Sequence, residues 1–342
     1  MEFIDVLAKL IANKDLSEAE MTFAMEQVMT GQATPAQIGG LLVALRMKGE
    51  TIAEITAAAR VMRKLAAPVS AQAEPIIDTC GTGGDGANLF NVSTASAFVA
   101  AAAGAHVAKH GNRSVSSSTG SADLLECAGV NLGMTPDKVA RAIDSLGIGF
   151  MFAPAHHGAM KHAIGPRKEL AQRTIFNVLG PLTNPAGAKR QVIGVFDRRF
   201  CEPIARVLGC LGSERALVVH AEDGLDEFSI AAQTYVAELT DNGQVSCYEL
   251  APEDVGIARQ SLDGLSVTSA EQSLALIRSA FAGEETEVAQ KAAAMIAINA
   301  GAAIYVAGLA MTMKDGVAMA QDALSTGAAA EKLQNLIEFS QL

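Results

Sequence analysis

The chain has 342 residues, half of them hydrophobic, and a formal net charge of −11 at pH 7. This length suits two domains with a large buried core. The acidic balance argues against a nucleic-acid partner or an anionic membrane surface, but it is compatible with a local basic pocket.

The first part of the chain is predicted to be helical. Three capping boxes, Ser17–Glu20, Thr34–Gln37 and Thr51–Glu54, each precede apolar residues at helical spacing. The second box has proline at the first helical position, where proline is favoured. Residues 68–75 are rich in alanine and are bounded by prolines, which indicates a linker.

After residue 75 short apolar runs alternate with helix signals. This alternation is typical of an α/β domain with a mostly parallel sheet. We therefore predict a small all-helical domain over residues 1–68, joined by a later segment near 165–185, and a larger α/β domain over residues 75–342. The predicted strands are 76–79, 105–108, 148–152, 191–196, 216–220, 235–239 and 245–250, and the predicted helices are 93–103, 123–128, 136–146, 167–179 and those from Ser269 onward.

Two features bear on the cellular compartment. The five cysteines are scattered without a Cys-x-x-Cys spacing, so we expect a reduced, cytoplasmic protein. The N-terminus carries Glu2 and Asp5 and shows neither a basic region nor a long apolar run, so we expect no signal peptide. Residues 292–313 carry no charge and are long enough to span a bilayer. Because Asn299 lies near the middle and no aromatic residue marks either end, a buried helix is the better interpretation.

The glycine run Gly81–Gly86 follows the first predicted strand and matches Gly-x-Gly-x-x-Gly. A dinucleotide site would also need an acid about 20 residues further on, yet residues 86–122 contain no Asp or Glu. No Gly-Lys-Ser/Thr follows, so the run is not a Walker A loop. A tight turn without a ligand would leave the neighbouring polar residues unexplained.

A site for a highly anionic ligand explains those residues better. Ser93 and Thr94 fall where a helix would begin, at the positive end of its dipole, and Lys109 and Arg113 add charge. Glycine lets a backbone approach phosphate oxygens closely. The serine-rich run 114–121 is either a flexible surface loop or a second anion-binding loop. The pattern predicts a diphosphate site.

Four acids, Glu222, Asp223, Asp226 and Glu227, follow the predicted strand 216–220. Acidic loops are often only solvated. However, ligands bind at the carboxyl ends of strands in open parallel sheets, and adjacent carboxylates there suit Mg²⁺ together with substrate oxygens. We therefore expect a magnesium site in this loop.

A second polar cluster runs from His156 to Arg167. His157 and His162 raise the alternative of zinc, but no nearby Cys or acid completes a tetrahedral set. Arg167 is the stronger candidate, because its guanidinium fork suits a substrate carboxylate. Its alternative role is a surface ion pair at the start of a helix.

With these residues in order, the chain resembles the anthranilate phosphoribosyltransferase family over essentially its whole length. Each motif alone is weak, but the ordered set is specific. The matching stretches are Gly81–Asp85, Asn91–Thr94, Lys109–Arg113, Gly120–Asp123, Ala153–Lys161, Gly165–Arg167, Leu179–Pro185 and Asp226–Glu227.

The resemblance implies a homodimer whose subunits each have a small helical domain and a large α/β domain. It also implies the second step of tryptophan biosynthesis, in which anthranilate and 5-phosphoribosyl 1-diphosphate give N-(5′-phosphoribosyl)anthranilate and diphosphate. The cofactor would be Mg²⁺, as two ions. No nucleic-acid or membrane partner is implied.

Individual residue roles also follow from the resemblance, without a covalent catalytic residue. The sugar diphosphate would be bound by Gly81, Gly84, Asp85, Asn91, Val92, Ser93, Thr94, Lys109, Gly111, Asn112, Arg113, Ser116, Ser117 and Ser121. Anthranilate would be bound by Gly81, His110, Asn112, His157, Arg167 and Pro181, and the metal by Ser93, Asp226 and Glu227. Many members have Thr where this chain has Leu89, so a hydroxyl contact is lost there and only a backbone contact could survive.

Two alternatives share this architecture. A pyrimidine nucleoside phosphorylase would bind phosphate and a nucleoside, and its phosphate loop differs from the Asn91–Thr94 and Lys109–Arg113 pattern. A catalytically silent nucleic-acid-binding relative would need a broad basic surface. The net charge of −11 and the presence of Asp226 and Glu227 argue against the second alternative.

Overall fold

The computed structural model describes residues 1–114 and 117–342. Its N-terminal region is a bundle of helices, and the three predicted capping boxes are confirmed at Ser17, Thr34 and Thr51. In each box the side-chain oxygen of the first residue accepts a hydrogen bond from a backbone N–H three residues on, which satisfies a free donor of the first helical turn. The helices are α1 (Phe3–Ile11), α2 (Glu18–Met29), α3 (Pro35–Lys48) and α4 (Ile52–Leu65).

The larger domain is built on one seven-stranded sheet with the order β3-β2-β1-β4-β5-β6-β7. The pairs from β3 to β5 are parallel, and β6 and β7 are added antiparallel. The predicted α/β class with a mostly parallel sheet is therefore confirmed. The strands are β1 (Ile76–Gly81), β2 (His106–Gly111), β3 (Ile148–Phe152), β4 (Arg190–Gly194), β5 (Arg215–Ala221), β6 (Thr234–Leu239) and β7 (Val245–Leu250).

The remaining helices connect and cover these strands. The helices predicted to start at residues 93, 123 and 136 and just after Ser269 begin within two residues of those positions, and Thr135 and Ser269 cap their helices as expected. They are α5 (Val92–Ala102), α6 (Ser121–Ala128), α7 (Pro136–Leu146), α8 (Ala153–His156), α9 (Lys161–Leu170), α10 (Ile175–Leu179), α11 (Cys201–Cys210), α12 (Ala270–Phe281), α13 (Glu287–Ala307), α14 (Met313–Ser325) and α15 (Ala328–Gln341).

The prediction of one helix over 167–179 is wrong. Ala171 is left-handed, with φ 47°, and ends α9, while Thr174 begins α10. The Asn177 side chain accepts a hydrogen bond from the Thr174 N–H at 2.9 Å, which fixes the new start. Arg167 consequently lies in the last turn of α9, where a cation suits the helix dipole, and not at a helix start.

The sheet separates two hydrophobic cores. Along β5, Leu217 and Val219 face one core, formed with α5, α7 and the C-terminal helices, because successive side chains in a strand point to opposite faces. Ala216 and Val218 face the other core, which continues through α11 into the helical bundle. Residues of α9 and α10 lie in this second core beside α3 and α4.

The uncharged segment 292–313 covers most of α13 and the start of α14. Small residues allow these helices to approach closely: a Cβ on Gly316 would lie 2.3 Å from the Gly301 carbonyl oxygen. Asn299 is buried and bonds to both backbone groups of Phe228. Among the helices of the described chain, none combines the length and apolarity that a membrane crossing requires.

Candidate active site

The polar motifs converge because they follow the carboxyl ends of parallel strands. The strand order reverses on the two sides of β1, with β2 and β3 on one side and β4 and β5 on the other. Ligands of open α/β sheets bind in the crevice at such a point. Gly81 ends β1 and pairs directly with Gly194 at the end of β4, so the glycine-rich loop opens into this crevice.

The acidic loop after β5 packs against these two glycines. Asp226 Oδ2 accepts a hydrogen bond from the Gly83 N–H at 2.7 Å. A Cβ on Gly81 would lie 2.5 Å from Asp226 Oδ2, and a Cβ on Gly194 would lie 1.5 Å from the Asp226 carbonyl oxygen. The absence of side chains at both strand ends therefore creates the space for Asp226.

The charges of three carboxyls, those of Asp85, Asp226 and Glu227, affect one another here. Burial raises the pKa of Asp226 to about 7, and the neighbouring charge of Asp85 adds to the effect. Burial, followed by the charge of Asp226, also raises the pKa of Glu227 well above its ordinary value. Without a cation, the folded protein therefore holds acids close together at a cost in stability.

Helix α5 points its N-terminus at the same place. Against the burial that raises the pKa of Glu227, the nearby Ser93 N–H favours its charged form, and the buried Thr94 hydroxyl lacks a hydrogen-bond partner in the described structure. Asn91 precedes the helix, and its side-chain oxygen accepts from Ser273 at 2.7 Å. The start of α5 and the acids predicted to bind the metal thus lie close together.

Lys109 lies beneath the glycine-rich loop. Its ammonium donates to the Thr79 carbonyl oxygen at 2.6 Å and to the Ser93 hydroxyl at 3.4 Å. Burial lowers the pKa of Lys109, and the opposite charge of Asp78 works against that effect. Lys109 therefore supplies buried positive charge next to the helix start.

The loop after β2 is held by hydrogen bonds and ion pairs to the start of α6. Asp123 accepts hydrogen bonds from the backbone N–H groups of Ser114 and Gly120, both at 2.9 Å. Arg113 forms ion pairs with Asp123 and Glu126. A Cβ on Gly111 would lie 2.0 Å from the Ser121 hydroxyl, so the loop requires glycine at that position.

Other predicted residues of this region have simpler surroundings. The Asn112 side-chain oxygen accepts from the Arg113 N–H at 2.8 Å, and the Ser117 hydroxyl lies 2.8 Å from that of Ser114. Leu89 pairs through its backbone with Ser266 and packs against the core. The predicted contact at Ser116 lies outside the described residues.

Two histidines, His110 at the end of β2 and His157 just after α8, lie side by side. The rings of His110 and His157 have centroids 5.1 Å apart, and Nε2 of each is buried without a hydrogen-bond partner in the described structure. Burial lowers the pKa of His110 to about 3 and that of His157 to about 4, so both rings are neutral near pH 7. Together the two rings form an uncharged polar surface, the histidine wall.

The positions of His157 and His162 do not support the zinc alternative. His162 lies against Gly31 of the helical bundle, whereas His157 lies against His110. Over residues 1–114 and 117–342, no three His, Cys, Asp or Glu side chains are grouped as metal ligands. A magnesium ion here would need substrate and water oxygens to complete its coordination, which is its usual habit.

Arg167 projects from the last turn of α9. Its guanidinium carbon lies 5.2 Å from the centroid of the Phe176 ring, and burial lowers its pKa. No carboxylate among the described residues lies within ion-pair distance of it. A half-buried cation without a protein counter-charge is suited to an anionic ligand group.

Sequence patterns did not identify four residues that are buried or that bridge parts of the site: Asp78, Asn184, Gln191 and Arg173. Asp78 accepts from the His110 N–H at 3.2 Å and from the Asn184 side chain at 2.8 Å, and Gln191 donates to the Pro181 carbonyl oxygen at 2.9 Å. Asp78 and Gln191 could have been found as polar residues inside apolar strands. Asn184 belongs to a family motif, and Arg173 had no sequence signal beyond its charge.

Comparison with known proteins covers nearly the whole chain. Residues 73–330 match the α/β domain model of a glycosyl transferase family, and residues 4–66 match the helical bundle domain model of the same family. The two matches meet at the predicted linker.

Curated relatives are similar along their full length. The chain is 69% identical to anthranilate phosphoribosyltransferase from Teredinibacter turnerae and 68% identical to that from Saccharophagus degradans, in both cases over 342 residues and 100% of each chain.

Solved structures agree. The anthranilate phosphoribosyltransferase of Thermus thermophilus is 44% identical, has a TM-score of 0.92, and is matched over 99% of this chain and 100% of that one. The Saccharomyces cerevisiae enzyme, solved in complex with PRPP and Mg, is 24% identical over 99% of this chain and 98% of that one, with a TM-score of 0.89, and shows the same fold.

Proposed function

The chain belongs to the anthranilate phosphoribosyltransferase family, and from this premise we propose how its residues perform the reaction. The resemblance inferred from the motifs is confirmed. The reaction is transfer of the 5-phosphoribosyl group from 5-phosphoribosyl 1-diphosphate to the amine of anthranilate, in tryptophan biosynthesis. The single observation that carries the residue assignment is the convergence of the glycine-rich loop, the α5 N-terminus and Asp226 at the switch point of the sheet.

The diphosphate is bound by the first two of these elements. Backbone N–H groups at the start of α5, together with those of Gly84 and Asp85 in the glycine-rich loop, donate to phosphate oxygens, and the helix dipole favours the negative charge of the phosphates. Lys109 adds a buried positive charge beneath them. The loop after β2, with Asn112, Ser117 and Ser121, closes over the sugar from the other side.

Magnesium fits the donor set beside this pocket. Asp226, Glu227 and the Ser93 hydroxyl are hard oxygen donors. Burial and mutual repulsion raise the pKa values of the two acids, and a cation would offset both effects, which supports the proposal. They would hold Mg²⁺, as two ions, which would neutralise charge on the departing diphosphate. Asp85, next to Asp226, faces the same place.

Anthranilate binds on the side of α9. Arg167 pairs with its carboxylate, while Asn112, Pro181 and the histidine wall line the pocket. Because His110 and His157 are neutral, their Nε2 atoms accept hydrogen bonds from the amine and leave its lone pair free to attack C1 of the ribose. No covalent nucleophile is used.

Catalysis then consists mainly of positioning and electrostatic stabilisation. Alignment of two substrates supplies on the order of 7–11 kcal/mol. Exclusion of water prevents hydrolysis of the activated sugar. We propose that the helical domain, with bounds 1–68 and the segment near 165–185, closes on the α/β domain over residues 75–342 to achieve this in the reducing cytoplasm.

The direct test follows the fluorescence of anthranilate. Its decrease should require the protein, 5-phosphoribosyl 1-diphosphate and Mg²⁺ together. A decrease without the sugar diphosphate, or phosphorolysis of thymidine instead, would contradict the proposal.

Replacement of the anthranilate cation should affect one substrate selectively. For Arg167→Ala we expect the KM for anthranilate to rise by about 10- to 100-fold, because a charge-assisted pair is worth roughly 1.5–3 kcal/mol. The KM for the sugar diphosphate should change far less. The measurement is steady-state kinetics with each substrate varied in turn. An equal rise in the two KM values would refute the assignment of Arg167 to anthranilate.

The homodimer is proposed from an apolar patch on the helical domain. Ile4 (66% exposed) and Ile11 (78%) of α1 lie beside Val43 (40%) and Met47 (82%) of α3, and these two helices are in contact. Exposed patches of this kind mark interaction surfaces. A second copy of the chain covers it in the proposed dimer.

Light scattering should therefore give twice the mass of one chain. We expect Val43→Asp combined with Met47→Asp to give monomers, because a dimer would bury both charges. Met311→Asp, at an exposed methionine outside the patch, should remain dimeric. A dimeric double variant would rule out this surface.

A further inference from the structure

Arg173 connects two parts of the site that are distant in sequence. It lies in the connector between α9 and α10, close to the left-handed Ala171. Its Nη2 donates a hydrogen bond to the Gly84 carbonyl oxygen. Its guanidinium carbon lies 4.1 Å from the centroid of the Phe196 ring, just after β4. The side chain thus spans from the connector between α9 and α10 to the glycine-rich loop.

The loop has little else to fix its shape. Gly83 and Gly84 have φ values of 65° and 83°, which only glycine adopts easily. On the sheet side, the Gly83 N–H bonds to Asp226. On the opposite side, Arg173 holds the next carbonyl group. The loop is therefore held between an acid of the metal site and this arginine.

The aromatic support of Arg173 is itself anchored to the loop. The Phe196 N–H donates to the Thr82 hydroxyl at 3.0 Å, and the Thr82 N–H donates to the Gly194 carbonyl oxygen at 2.9 Å. The Phe200 ring packs edge-on against Phe196, with centroids 5.2 Å apart. Arg173 therefore contacts both Gly84 and Phe196, and Phe196 in turn contacts Thr82, so the three side chains surround the turn at Gly83 and Gly84.

The charge of Arg173 is not used within the protein. No Asp or Glu of the described residues lies within ion-pair distance of it, in contrast to Arg113 and Arg206, which are both paired. An ion pair would provide a structural reason for the arginine. Its free donors instead lie beside the loop that binds the diphosphate.

We propose that Arg173 is a positioning residue that sets the glycine-rich loop for the sugar diphosphate and couples that loop to the connector between α9 and α10. This inference rests on the proposed function. If Asp226 bound a metal ion, it would give up the hydrogen bond from the Gly83 N–H, and Arg173 would then keep the loop in place. It contacts the loop and not the reacting atoms.

The test uses the full-length enzyme with Mg²⁺ and compares Arg173→Ala with the wild type. We expect the KM for 5-phosphoribosyl 1-diphosphate to rise about 10- to 100-fold, the range of one charge-assisted bond. The KM for anthranilate and the Tm should stay close to wild type, because the Arg173 side chain is exposed and forms no ion pair. Arg173→Lys should recover part of the loss, since it keeps a charge and a donor.

A double-mutant cycle isolates the stacking partner. Phe196→Leu should raise the same KM by less, and the double variant Arg173→Ala/Phe196→Leu should be no worse than Arg173→Ala alone, since the ring acts through the guanidinium. Arg206→Ala, at an exposed and paired arginine of α11, should match the wild type.

Two results would overturn the inference: a KM for the sugar diphosphate within twofold of wild type in Arg173→Ala, or a loss shared equally by both substrates together with a lowered Tm. If the wild type itself shows no transfer, the proposed function fails and not merely this role of Arg173.

Discussion

The paired variant Asp226→Asn/Glu227→Gln is expected to lose at least about a hundredfold in kcat and to show no dependence on Mg²⁺ concentration. Amides keep the shape of the two acids, and an Asn side chain can still accept from the Gly83 N–H. They remove the charges that would hold the metal, whose stabilisation of a developing anion is worth several kcal/mol. Initial rates over a magnesium titration provide the measurement.

The same variant should be more stable than the wild type without metal. A carboxyl whose pKa is raised by folding opposes folding above its ordinary pKa. For Asp226 that penalty grows from the ordinary value of 3.8 up to about 7 and stays constant above it. The gain in Tm should therefore be largest near pH 8, disappear towards pH 4, and shrink when Mg²⁺ is added to the wild type.

Glu222→Gln is the matched control for this experiment. Glu222 lies in the same loop but is exposed, so its amide should leave the magnesium titration and the Tm unchanged. An Asp226→Asn/Glu227→Gln enzyme with wild-type magnesium dependence would remove these acids from the metal site.

The second large effect is expected at Gly194. In Gly194→Ala the new Cβ would lie 1.5 Å from the Asp226 carbonyl oxygen, a distance no real contact has. The clash is with backbone, so the segment that carries Asp226 and Glu227 must move. We expect turnover to fall at least about a hundredfold and the free energy of unfolding to fall by about 1–3 kcal/mol, as for overpacked cores. Steady-state rates and denaturant titration measure the two effects.

Gly209→Ala tests whether the effect is local. Gly209 lies within α11, where a Cβ would make an ordinary contact 3.4 Å from Leu239. Alanine should stabilise this helix by roughly 0.5–1 kcal/mol and leave the kinetics unchanged. Full activity in Gly194→Ala would show that the acid loop need not occupy its observed position.

Much of the fold could be predicted because its signals are local. The capping boxes at Ser17, Thr34 and Thr51 have a fixed spacing of side chain and backbone, and each marks a helix start in the structure. The α/β class followed from the alternation of strand and helix patterns. The break at Ala171 could not be predicted, because alanine rarely adopts the left-handed conformation and gives no composition signal for it.

The site was harder to predict than the fold. The motifs indicated an anion pocket and an acidic loop, but not that Gly81 and Gly194 make room for Asp226, because this depends on the pairing of β1 with β4. The buried hydrogen bonds of Asp78 with Asn184 and of Gln191 with Pro181 join residues up to 106 positions apart and cannot be seen in local sequence patterns either. The carbonyl contact and stacking of Arg173 are likewise tertiary.

The most direct measurement is a crystal structure of the enzyme with 5-phosphoribosyl 1-diphosphate and Mg²⁺. We predict the diphosphate at the glycine-rich loop and the α5 N-terminus, with metal at Asp226 and Glu227 and the carbonyl oxygen of Gly84 still held by Arg173. Density for the sugar diphosphate and metal away from residues 81–121 and 226–227 would contradict the account.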